Sequence, residues 1–98
     1  MVEVKQSKTF AKWLAKLRSR ETRFIVGTRI RRMEEGNLGD VKSVGDGVYE
    51  ARIHVAGGLR LYFMRQGSVI IVLLIGGDKA TQSRDIEKAK RMTQDWED

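Results

Sequence analysis

Cysteine and proline are absent, histidine occurs once, and no apolar run approaches the roughly 20 residues that a membrane-crossing helix needs. Without cysteine there is neither a disulfide framework nor a thiolate metal site. One histidine and scattered carboxylates leave too few ligands for a metal, so neither metal nor other cofactor is expected. The opening MVEVKQSK lacks the apolar stretch of a secretory signal, so the expected location is the cytosol, with no membrane partner. Gly76-Gly77-Asp78-Lys79 is no phosphate-binding Walker loop, because its glycine spacing and the missing Ser/Thr after the lysine are wrong. What remains is an ordinary globular balance, 41% hydrophobic and 33% charged over 98 residues, which suits one compact domain.

The charge is unevenly placed. Residues 1–36 carry ten Lys and Arg against four Asp and Glu, whereas residues 37–98 carry nine of each. The entire +6 excess therefore lies in the first third. Such a surface attracts phosphate backbones or an acidic protein, with a strength that depends on salt.

Hydrophobic periodicity orders the elements. Val2-Glu3-Val4-Lys5 alternates as a short strand. From Ser7, a candidate N-cap, Phe10, Trp13, Leu14 and Leu17 share one helical face opposite Lys8, Lys12 and Lys16. A second helix follows Ser19, with Val26, Ile30 and Met33 as its stripe and Gly36-Asn37 as its stop. The joint at residues 18–20 is so short that the two helices form a hairpin. Gly27 inside the second helix suggests close helix packing. Residues 36–47, with four glycines, two aspartates and an asparagine, read as an ordered loop.

Three strand-like runs follow, Val48–Val55, Leu59–Arg65 and Val69–Ile75, separated by short glycine-containing turns that imply an antiparallel meander. The last run is apolar at every position and should be covered on both faces. A final helix spans roughly Thr81–Trp96, with Ile86, Ala89, Met92 and Trp96 as a thin stripe. The expected fold is α+β: an N-terminal strand and helical hairpin packed on a small antiparallel sheet, with a C-terminal helix.

Alternation sorts the strand residues by face. With Tyr49, Ala51, Ile53, Leu59, Leu61 and Phe63 turned to the helices, Glu50, Arg52, His54, Arg60 and Tyr62 share the opposite face. They are expected to project together from the open face as a concave polar cluster, which Lys79, from the turn leaving the last strand, can complete. Such a set suits RNA cleavage without a metal. Arg52 and Arg60 would stabilise the phosphorane, His54 or Glu50 would accept the 2′-hydroxyl proton, and Tyr62 or Lys79 would protonate the leaving oxygen. Each residue also has a plain structural reading: His54 as a surface residue, Glu50 and Arg52 as a surface ion pair, Tyr62 and Met64 as packing beneath the final helix.

The segments Phe10-Ala-Lys-Trp-Leu14, Arg29-Ile-Arg-Arg-Met33, Gly36-Asn-Leu-Gly-Asp40, Gly45-Asp-Gly-Val-Tyr-Glu-Ala-Arg-Ile53, Leu59-Arg-Leu-Tyr-Phe63 and Leu74-Ile-Gly-Gly-Asp-Lys79, in this order and spacing, resemble the RelE/ParE toxin superfamily. The likeness is greatest to its HigB-like branch of addiction module killer proteins, and it spans nearly the full length. It implies the fold just described, a cognate antitoxin as partner, and cleavage of mRNA on the ribosome. By position, Arg60 matches the family arginine that contacts the scissile phosphate, and Arg52 and Lys79 match basic positions of RNA-cleaving members. Where several relatives carry a C-terminal tyrosine or histidine, this chain has Thr81–Ser83.

Two other functions share the same outline. One is a ParE-like toxin that poisons DNA gyrase without chemistry of its own; the other is a non-toxic, basic nucleic-acid-binding module. For any toxin, the basic hairpin predicts an antitoxin with acidic contact residues. Lys12, Lys16, Arg31 and Arg32 are the expected contacts for RNA phosphates.

Overall fold

The computed structural model describes residues 1–55 and 57–96. The elements, in chain order, are β1 (Glu3–Gln6), α1 (Lys8–Ala15), α2 (Arg20–Glu34), β2 (Val41–Gly45), β3 (Val48–Ile53), β4 (Leu59–Gln66), β5 (Ile70–Gly77), a single 3₁₀ turn (Lys79–Thr81) and α3 (Gln82–Asp95). The five strands form one sheet in the order β1-β5-β4-β3-β2. Strands β2 to β5 are antiparallel neighbours, and β1 lies parallel to β5 at the far edge, which makes the sheet mixed.

The expected α+β architecture is present, with one strand more than the glycine-rich segment suggested. Residues 36–47 are not all loop: β2 occupies their second half and pairs with β3. The hairpin turns through Asp46 and Gly47, both at positive φ (54° and 78°), the two-residue geometry that Asp-Gly favours.

Both helix starts are capped as their sequences imply. The Ser7 hydroxyl accepts from the Phe10 amide at 2.9 Å and donates to the Leu74 carbonyl at 2.6 Å, so the cap of α1 is tied to β5. Ser19 accepts from the Thr22 amide at 3.1 Å. Gly27, expected at a close helix contact, faces open space: a Cβ there would meet nothing within 4 Å.

The sheet separates two apolar cores. Phe10, Val26 and Met33 of α1 and α2 pack against Ala51, Leu61, Phe63, Ile71 and Leu73 on one face. On the other, Ala89 of α3, flanked by Ile86, Met92 and Trp96, covers Val48, Tyr62, Val72 and Leu74. Burying each of these large side chains contributes about 1.5–3 kcal/mol. Strand β5 is thus covered on both sides, as its unbroken apolar run requires.

Its last two residues carry no side chain for a reason. A Cβ on Gly76 would lie 2.3 Å from the Trp13 ring, and one on Gly77 would lie 1.9 Å from the Asp85 carboxylate. Helices α1 and α3 therefore approach bare backbone from opposite sides. No helix among the described residues is long and apolar enough to cross a membrane.

Candidate functional site

The β3–β4 register places Arg52 directly opposite Arg60, and Glu50 directly opposite Tyr62. Facing guanidinium groups repel unless an anion lies between them. Glu50 supplies it: its carboxylate stands 3.1 Å from Arg52 Nε and 3.6 Å from Arg60 Nε, with Lys42 Nζ at 3.9 Å. The Tyr62 hydroxyl donates to the same carboxylate at 3.1 Å and Gln82 Nε2 at 2.8 Å. Arg60 also donates to the Gly58 carbonyl at 3.0 Å.

Two of the expected open-face residues are in fact buried. Glu50 and Tyr62 are both at 0% exposure, because α3 lies over their end of the sheet and Gln82 closes the carboxylate. Alternation assigned the residues to the right face, but it cannot say what covers a face. Packing beneath the final helix is the reading that holds for Tyr62 and Met64.

Burial by itself would raise the pKa of Glu50. Hydrogen bonds from Gln82, Arg52 and Tyr62, with the charge of Lys42, outweigh that and hold it below the ordinary value. Tyr62 moves the other way, pushed far up by burial and by the adjacent Glu50 charge. Neither group is therefore placed to exchange protons near neutrality. Glu50 instead orients two guanidiniums whose exposures differ, 35% for the Arg52 side chain and 12% for that of Arg60. The outer part of Arg52 remains able to meet a phosphate.

His54 does not join this cluster. The chain has left β3 by that residue, and the exposed imidazole is turned to Asp40, with Nε2 3.0 Å from Oδ2. That hydrogen bond is the main cause of a lowered Asp40 pKa. Lys79 stands exposed in the 3₁₀ turn, two residues beyond Gly77, the register partner of Arg60. Lys12, Lys16, Arg31 and Arg32 are exposed on the two N-terminal helices.

One residue that positions this region was not among the expected site residues. Arg29 of α2 donates to three carbonyls, those of Leu38 (2.9 Å), Arg52 (2.8 Å) and Asp40 (2.9 Å). It thereby fixes the chain on both sides of the Asp40–His54 pair. Burial lowers its pKa, with the Asp40 charge acting in opposition, yet an arginine keeps its charge at working pH. Gly39, at φ +74°, leaves room for it, since a Cβ would fall 2.8 Å from the guanidinium. The advance signals for Arg29 were its place beside an otherwise apolar helix stripe and in the Arg29-Ile-Arg-Arg-Met33 segment of the resemblance. Among the described residues, no group of three or more His, Asp or Glu side chains could hold a metal ion.

This architecture is similar to that of RelE in solved structures. The isolated E. coli RelE toxin superposes with a TM-score of 0.66 at 15% identity, over 90% of this chain and 98% of that one. A chain of the intact E. coli RelBE toxin-antitoxin complex superposes with a TM-score of 0.64 at 13% identity, over 80% and 96%. In sequence, an uncharacterized protein of Haemophilus influenzae is 43% identical over 94 residues, 96% of this chain and 95% of its own length, and the chain belongs to one family with it. No family model matches the sequence.

Proposed function

We propose that this protein is the toxin of a toxin-antitoxin pair and cleaves messenger RNA on the ribosome in the cytosol, in the manner of the HigB-like branch it resembles. The observation that carries this reading is the Arg52–Arg60 pair, set opposite one another on a RelE-like sheet and aligned by one buried carboxylate.

In the proposed reaction the 2′-oxygen of one nucleotide attacks the adjacent phosphorus, and the P–O5′ bond breaks to leave a cyclic phosphate. Arg52, with Arg60 behind it, offsets the charge that builds on the phosphorane. His54, steadied by Asp40, is the candidate to accept the 2′-hydroxyl proton, and Lys79 the candidate to protonate the departing 5′-oxygen. Glu50 and Tyr62 have a positioning role. No metal or other cofactor takes part. The antitoxin, whose existence the RelBE neighbour supports, would meet Lys12 and Lys16 with acidic side chains.

Expression of the wild type and of Arg60→Ala, followed by mapping of mRNA 5′ ends, tests the proposal. New ends within translated frames are expected with the wild type alone. The burial of Glu50 and Tyr62 removes two acid–base groups and so favours a second reading, gyrase poisoning without chemistry. Growth arrest with intact transcripts and broken chromosomes would replace the first reading by the second. Tight nucleic-acid binding without arrest would leave a non-toxic binding module.

A further inference from the structure

We propose that a cleft between α2 and the end of β3 binds one nucleotide of single-stranded RNA, with its base stacked on Phe24 and its phosphate held by Arg32 and Arg52. The choice of RNA over DNA rests on the ribonuclease reading; the stacking and phosphate sites rest on geometry alone.

Phe24 is the starting point. It is 67% exposed on a helix whose other apolar residues turn to the core. Its neighbours on the same face of α2 are polar or cationic: Thr28 at i+4, Arg31 at i+7 and Arg32 at i+8. The Arg31 guanidinium lies 5.9 Å from the ring centroid and also donates to Thr28 Oγ1 at 3.3 Å. It therefore orients the ring without burying it.

Facing this helix surface is a cleft of about 370 Å³ lined by Phe24, Thr28, Arg32, Asp40, Arg52 and His54. That volume is within the range of small-molecule sites, roughly 300–1,000 Å³. Its back wall is rigid, because the three carbonyl contacts of Arg29 bind α2 to residues 38–40 and to Arg52. Among its lining residues Arg29, Arg32 and Arg52 outnumber the one carboxylate, Asp40, which His54 engages, and Nε of Arg52 is already fixed by Glu50. An exposed phenyl ring beside two or three guanidiniums offers a stacking surface and a phosphate site together, the combination by which single strands are held.

An acidic peptide would satisfy the arginines but would gain little from the ring face; a base satisfies both. Arg52 borders the cleft and also belongs to the Glu50 cluster, so a nucleotide held here adjoins the phosphate proposed for cleavage.

The test is fluorescence anisotropy of labelled hexa-adenylate with the purified full chain at low and moderate salt. Phe24→Ala is expected to weaken binding roughly tenfold, and Phe24→Trp to retain it. Arg32→Ala should weaken binding and flatten its salt dependence by about one phosphate contact. An unchanged affinity for Phe24→Ala overturns the inference. So does a loss in Phe24→Trp equal to that in Phe24→Ala, or displacement of the RNA by hexaglutamate as effectively as by unlabelled hexa-adenylate. Transcript mapping is independent: Phe24-dependent binding without new mRNA ends upholds the cleft and removes the ribonuclease. New ends with Phe24-independent binding do the reverse.

Discussion

At the scale of single residues, Glu50 carries the most consequence. A carboxylate at 0% exposure is tolerated because three hydrogen-bond donors and two further cations surround it. Removing it leaves buried guanidinium and phenol groups without their partner, so Glu50→Ala is expected to cost about 3–5 kcal/mol in urea denaturation. Its folded-state pKa lies below the ordinary 4.5, so its ionised form contributes stability fully above about pH 4.5 and loses that contribution as pH falls through the lowered value. The stability gap between wild type and Glu50→Gln should therefore be widest near pH 7 and close under acid conditions. Arg29 presents a different case, since its fork spans three carbonyls that a lysine ammonium cannot reach together. Arg29→Lys should cost about 2–3 kcal/mol, measured the same way. Alternation alone placed Arg52, Arg60 and Tyr62 with Glu50, but it also placed His54 there, which the end of β3 at Ile53 turns to Asp40 instead. That Glu50 and Tyr62 are sealed was not legible in the sequence, because the cover comes from α3, whose Gln82 lies 32 positions beyond Glu50.

At the scale of elements, the three α-helices were legible, whereas strand β2 and the 3₁₀ turn Lys79–Thr81 were not. Ser7 and Ser19 are N-caps that sequence patterns single out, and both serve that role. Strand β2 was hidden because glycine and aspartate dominate residues 36–47, although Asp46-Gly47 is itself a strong two-residue hairpin signal. The parallel pairing of β1 with β5 was equally hidden, since short-range periodicity says nothing of distant partners. Ser7 joins these elements: one hydroxyl caps α1 and satisfies a β5 carbonyl. Ser7→Ala should therefore cost about 2 kcal/mol, more than an exposed cap, by loss of the cap and of a buried acceptor's donor together. Thermal unfolding of the variant beside Ser19→Ala, where only the cap is lost, measures the difference.

At the scale of the whole molecule, charge separates from fold. Lys12 and Lys16 are exposed and outside both cores, so replacing both with alanine should leave the thermal midpoint within about 1–2 °C. The same change should weaken association with ribosomes or RNA and reduce its dependence on ionic strength, which sedimentation at two salt concentrations reads directly. The sheet order has an effect in time as well as space. Residues 3–6 are made well before residues 70–73, their hydrogen-bonding partner. Until that stretch exists, β1 has no ladder, the α1 cap lacks its anchor on Leu74, and the apolar faces of both N-terminal helices have no β5 to rest on. Closing so long a loop is slow compared with local folding. During synthesis the N-terminal strand and helices therefore wait for β5, whereas the paired arginines meet their shared carboxylate within the local β3–β4 hairpin and gain only their covering helix, α3, later.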